Sequence, residues 1–282
     1  MTCNFFSSNP NVAQYLSFPS IKCSMHRERI KSRPPIPDTL TSLRNILEHC
    51  DIIKNVYKGS LITDNEKTAI ILSSNSLLEA LSSATEIYVD GTFSVLPRMP
   101  HMAQLYSVHI RYMNTGIGTL FILCDVRTTT MYDALWDKII QMVPQLKENV
   151  KFIMSNFEMA AVKSLSTKFP RVKLTGCWFH FNQVYEIIIV PYKDSNVKYP
   201  DMFQEAMSII QIEADILFCE YPDILQFTSY LRRTWSNMAS RISTYDCPIR
   251  TNNIVESFHN IAAQKLGTKN INIWTFLGNV YF

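Results

Sequence analysis

The 282-residue sequence is 47% hydrophobic and 18% charged, the composition of an ordinary soluble globular chain with room for one large domain or two modest ones. Its formal net charge of +3 excludes a global positive field as a source of nucleic-acid binding, so any such surface has to be local. Seven scattered cysteines without a Cys-x-x-Cys pair argue against a secreted disulfide framework and for a reducing, intracellular setting.

Met1-Thr2-Cys3-Asn4-Phe5-Phe6 lacks a charged start before a sustained apolar run, so no signal peptide is expected. No run approaches the roughly 18 apolar residues of a membrane span, and no membrane partner is expected. Residues 1–37 read as a loose lead-in ending in Pro34-Pro35-Ile36-Pro37. Its basic cluster, Lys22, Arg27, Arg29, Lys31 and Arg33, suits a solvated arm or a phosphate-contacting or nuclear-targeting segment. Residues 38–85 are expected to be helical: Leu40, Leu43, Ile46 and Leu47 carry a helical spacing, and a second helix over Ser73–Ser83 has Ser74 or Asn75 as its cap.

Three runs rich in β-branched and aromatic residues follow, Glu86–Leu96, Ala103–Met113 and Thr119–Asp125. Their short connections suit an antiparallel meander. Met131, Leu135, Trp136, Ile139, Ile140 and Val143 then mark a helix face. Beyond it strands over Val150–Asn156 and Val172–Cys177 alternate with helices over Met159–Phe169 and Phe179–Val190, which implies parallel crossovers. Residues 200–246 read as an all-α insertion, with helices at Met202–Ile212, Ala214–Cys219 and Ile224–Met238. The last helix, Ile254–Leu266, is expected to be capped by Asn252 or Asn253 and ended by Gly267.

Four places could carry chemistry. Asp90 ends an apolar run at Gly91, which fits a turn carboxylate. The strand pattern continues into Thr92-Phe93, however, and a glycine inside a strand admits a close neighbour. Asn156 ends the second apolar run in the same way, with an amide in place of an acid. Glu256 stands in the first turn of the last helix, where an acid complements the helix dipole, and His259 follows on a similar side. Cys177 and His180 form a Cys-x-x-His, at most half a zinc site and otherwise packing at the sheet end, so no zinc is expected. No phosphate-binding loop or Gly-x-Ser-x-Gly occurs, so no nucleotide cofactor is expected.

In order, Tyr88-Val89-Asp90-Gly91-Thr92-Phe93, Gln104-Leu105-Tyr106-Ser107-Val108-His109, Ser155-Asn156-Phe157-Glu158, Gly176-Cys177-Trp178-Phe179-His180-Phe181-Asn182-Gln183 and Thr251-Asn252-Asn253-Ile254-Val255-Glu256-Ser257-Phe258-His259 make a recognisable set. Together they resemble the MULE (Mutator-like element) transposase domain, one of the DDE-type, RNase H-like recombinases. The likeness runs over roughly residues 35–275.

The resemblance implies an α/β fold: an RNase H-like mixed five-stranded sheet flanked by helices, with an all-α insertion before the last catalytic helix. It assigns 86–199 to the core, 200–246 to the insertion and 247–282 to the final core helix with a truncated end. The apolar close at Ile273–Phe282, and the lack of a zinc-bearing module before residue 35, lead to the expectation of a truncated or decayed copy. The implied activity is DNA transposition in the nucleus. Three acids would hold two Mg²⁺ or Mn²⁺ ions for phosphodiester cleavage and strand transfer at transposon ends, in a possible homo-oligomer.

Asp90 matches the first acid and metal ligand, and Glu256 the third. Asn156 stands at the second acid's position. Cys177, His180, His259 and Glu158 are site-supporting. An uncharged amide at a hard-cation site should raise the barrier by an amount on the order of several kcal/mol. Impaired catalysis is therefore expected. The alternatives are a non-catalytic, domesticated nucleic-acid-binding protein and an inert remnant.

Overall fold

The computed structural model describes residues 22–25, 27–28, 34–50, 53–113, 115–177, 201–218, 221–235, 238, 241, 247–249, 251–266 and 271–279. The chain divides into a short unit, Met1–Ile36, and a large one, Pro37–Phe282. In the short unit Lys22 and Arg27 are exposed on helical turns, and the remaining basic residues of that cluster lie outside the described residues, as does the helix expected over Phe179–Val190.

The large unit is built on one seven-stranded sheet. Its strands are β1 (Tyr57–Ile62), β2 (Thr68–Leu72), β3 (Glu86–Thr92), β4 (Gln104–Tyr112), β5 (Thr115–Cys124), β6 (Phe152–Ser155) and β7 (Lys173–Gly176). They lie in the order β1-β2-β5-β4-β3-β6-β7. Pairing is antiparallel from β1 across to β3 and parallel from β3 to β6 and β7. The meander and the parallel crossovers are thus both present. The expectation of five strands is corrected to seven, because the 38–85 stretch folds a hairpin, β1-β2, onto the β5 edge.

Helices cover both faces. They are α1 (Leu40–Glu48), α2 (Asn75–Ser82), α3 (Thr129–Met142), the short α4 (Leu146–Asn149), α5 (Met159–Lys168), α6 (Asp201–Leu217), α7 (Ile224–Trp235), α8 (Asn253–Leu266) and α9 (Ile273–Asn279). Thr39, Ser74 and Thr128 start α1, α2 and α3 by accepting an orphan backbone N–H on their side-chain oxygens. Among the described residues between 201 and 241 only helices occur; α6 runs unbroken to Leu217, where a helix end at Ile212 was expected. A helix of period 3.6 has no reason to break there, since no Gly or Pro interrupts the segment.

Because the sheet is covered twice, its strands alternate between two cores. Ala69, Ile71, Val89, Tyr106, Ile122 and Cys124 face α3 and α5, whose Met131, Leu135, Trp136, Ile139 and Leu165 complete that layer. Ile70, Leu72, Leu105, Phe121 and Leu123 face the other way, against Leu40, Leu43 and Leu47 of α1, Ala262 of α8 and Phe276 of α9. A smaller cluster of Tyr88, Phe152, Met154, Cys177 and Val255 seats the start of α8 on the parallel strands. Each fully buried side chain of this size contributes about 1.5–3 kcal/mol of transfer free energy, which fixes α8 over the strand ends where the polar residues gather.

Candidate functional site

The parallel register pairs Val89 with Ser155, so the next residue of each strand, Asp90 and Asn156, emerges side by side at one end of the sheet. Asp90 is buried. Its Oδ1 accepts from Gly91 N–H at 2.8 Å and from Asn156 Nδ2 at 2.8 Å. Its Oδ2 lies 3.8 Å from His259 Nδ1, presented by α8. The orientation of the Asn156 amide follows from its neighbours: Oδ1 accepts from Glu158 N–H at 3.2 Å. Turning the amide over would set oxygen against the Asp90 carboxylate and N–H against N–H.

Polar contacts continue away from this pair in both directions. On the α8 side, Ser107 Oγ lies 3.5 Å from His259 Nε2 and 2.9 Å from His109 Nε2. His109 is enclosed between the rings of Phe121 and Phe258. Burial pushes its pKa down to about 3, and the charge of His259 acts in the same direction, so the ring is neutral. On the α3 side, Glu158 Oε1 accepts from Tyr132 Oη at 2.8 Å, and that hydroxyl accepts in turn from Gln104 Nε2. Burial raises the Glu158 carboxyl above its ordinary range, with the Tyr132 hydrogen bond and the charge of Arg127 working against it. Glu158 sits at the N-cap of α5 and not on a continuing strand, which is why it faces Tyr132 while Asn156 faces Asp90.

Gly91 makes room for this path: a Cβ there would collide with the Gln104 side-chain oxygen. Sequence reasoning passed over Gln104 and Tyr132 as partners of the site; the one signal was a glycine inside a strand. Glu256 lies in the first turn of α8, with Oε1 3.8 Å from Cys177 Sγ. Cys177 is buried at the end of β7 and accepts the Asn252 N–H at 3.2 Å. Asn252 therefore starts α8 through its backbone, its carbonyl accepting from Val255 and Glu256, while its buried side-chain amide does not act as the expected cap. His180 lies outside the described residues.

The structure thus joins Asp90, Asn156 and His259 directly, with Glu158 hydrogen-bonded to Asn156 through its backbone, and sets Glu256 one helical turn from His259 against Cys177. A pair of hard divalent cations does not fit these donors. Asp90 Oδ1 already receives two N–H groups, and the neighbouring Asn156 offers it hydrogen rather than oxygen. Among the described residues no group of three His, Cys, Asp or Glu side chains is disposed to hold a metal ion.

A mixed sheet flanked by helices, with an acid carried out of its centre beside a parallel neighbour, defines an α/β protein whose polar site lies at the strand ends. Residues 87–184, a stretch that includes Asp90, Asn156 and Cys177, match the model of the MULE transposase domain. No curated protein matches the chain. No described helix is long and apolar enough to cross a membrane.

Proposed function

We propose that this chain is a transposase-derived DNA-binding domain that keeps the scaffold of its relatives and has lost two-metal cleavage. The observation that carries the reading is the Asn156 amide donating to Asp90 at 2.8 Å. In a DDE-type site the carboxylates hold the cations. Here one of them is satisfied by N–H groups of the protein, and the charge of the missing acid is gone. The strand order β5-β4-β3-β6-β7, three antiparallel strands followed by two parallel ones, supports an RNase H-like core with β1-β2 added at its edge.

DNA remains the partner in this reading, in the nucleus, with Lys22 and Arg27 of the N-terminal arm exposed for phosphate contact. The decisive experiment is Mg²⁺- or Mn²⁺-dependent cleavage of transposon-end DNA by the unmodified chain and by Asn156→Asp. The unmodified chain is expected to be inert. Robust cleavage by it overturns the proposal. A log–log dependence of DNA affinity on salt with a slope near zero removes the phosphate contacts and leaves an inert scaffold.

A further inference from the structure

Beyond Asp90 the chain leaves β3 at Thr92 and makes a turn closed by Leu96 N–H on Phe93 O, 3.4 Å apart. Val95 is buried in the second core, which pins the turn and swings Phe93 outward. Phe93 is 52% exposed, whereas Phe121, Phe152, Phe169 and Phe276 on and around the sheet are buried. The guanidinium of Arg127 lies over its ring, 4.9 Å from the centroid.

The pairing of the strands explains this meeting. Thr92 pairs with Leu105, and the preceding Gln104 pairs with Cys124, the last residue of β5, three residues before Arg127. Phe93 and Arg127 therefore stand at the same sheet end as Asp90 and Asn156. Among the described residues no carboxylate forms an ion pair with Arg127, whose charge reaches Glu158 only at longer range.

We infer that Phe93 and Arg127 form a stacking platform for an unpaired DNA base beside Asp90, the ring taking the base and the guanidinium the adjoining phosphate. An exposed π-face accepts any base, and a cation beside it complements the backbone charge. Duplex bases are already stacked and cannot use such a face, so the occupant is single-stranded DNA, at a frayed end or a displaced strand. The inference rests on the DNA-binding reading above.

The test uses the full chain with a labelled oligo-dT strand and a blunt duplex of equal length. Phe93→Ala is expected to weaken oligo-dT binding roughly 5- to 100-fold and duplex binding far less, while Phe93→Trp retains it. Arg127→Ala is expected to lower the salt slope by about one unit. Because Phe93 is exposed, thermal melting of the variants should match the parent. Equal oligo-dT affinity for parent and Phe93→Ala, or equal losses on both DNAs, overturns the platform alone. DNA cleavage by the parent overturns the inactivity alone. No DNA binding by the parent overturns both.

Discussion

The Asn156 side-chain amide donates a hydrogen bond to the buried carboxylate of Asp90, 2.8 Å from Oδ1. With Gly91 N–H on the same oxygen and His259 facing the other, the buried carboxylate is satisfied by the protein alone. This completeness makes the site's behaviour predictable.

Asn156→Asp replaces the donor by an oxygen facing Asp90, while the oxygen that accepts from Glu158 remains. We expect a loss of about 1–3 kcal/mol at neutral pH, from the lost hydrogen bond and the like-charge pair. Millimolar Mn²⁺ should recover part of this by binding the folded form. Thermal melts with and without Mn²⁺ check it: the variant's midpoint should rise with metal and the parent's should stay. An equal rise in both would show that the carboxylate pair is irrelevant to cation binding.

His109 sets a pH dependence. Its folded pKa, about 3, lies below the ordinary 6.5, so between those values the unfolded chain holds more protons than the folded one. Stability from this group is complete above 6.5 and declines as pH falls towards 3, by at most about 1.4 kcal/mol per pH unit. Urea unfolding of parent and His109→Gln from pH 7 to pH 4 isolates the effect. The parent's extra slope should vanish in the variant.

Tyr132→Phe removes an acceptor from Gln104 and a donor from Glu158. A destabilisation of about 1–3 kcal/mol is expected in chemical unfolding. The Glu158 carboxyl, already raised, should rise further without the phenol. A group with a raised folded pKa favours folding at low pH and loses that advantage as pH rises through it, so the variant's deficit should shrink on acidification.

Gly91→Ala should cost about 1–3 kcal/mol, since the new methyl has to displace the Gln104 side chain from Tyr132. Combining Gly91→Ala with Gln104→Ala should recover stability relative to the sum of the single changes. Strict additivity in that double-mutant cycle would show that the two positions do not touch.

Much of this architecture was legible in the residues. The runs expected over Glu86–Leu96 and Val150–Asn156 are bounded by polar residues and turn chemistry, and they become β3, with Asp90 two residues before its end, and β6, with Asn156 directly after it. The hairpin was not legible. Thr68–Leu72 is buried on both faces and so has no alternation, and Tyr57–Ile62 contains Gly59, is half-buried from Tyr57 to Leu61 and ends on the exposed Ile62. The contacts of the site divide in the same way. Asp90 stands out as an acid beside a strand glycine and Glu256 as an acid at a helix start, whereas the partnership of Gln104 with Tyr132, or of Ser107 with His259, depends on strands and helices meeting across the sheet. No local motif encodes those pairs.

The register that pairs Val89 with Ser155 is undisturbed by the amide that follows it. Codons for asparagine and aspartate differ in a single first-position base, so an aspartate at position 156 is one transition mutation away. If the proposed reading holds, a genetic screen for gain of DNA cleavage would sample that base change directly.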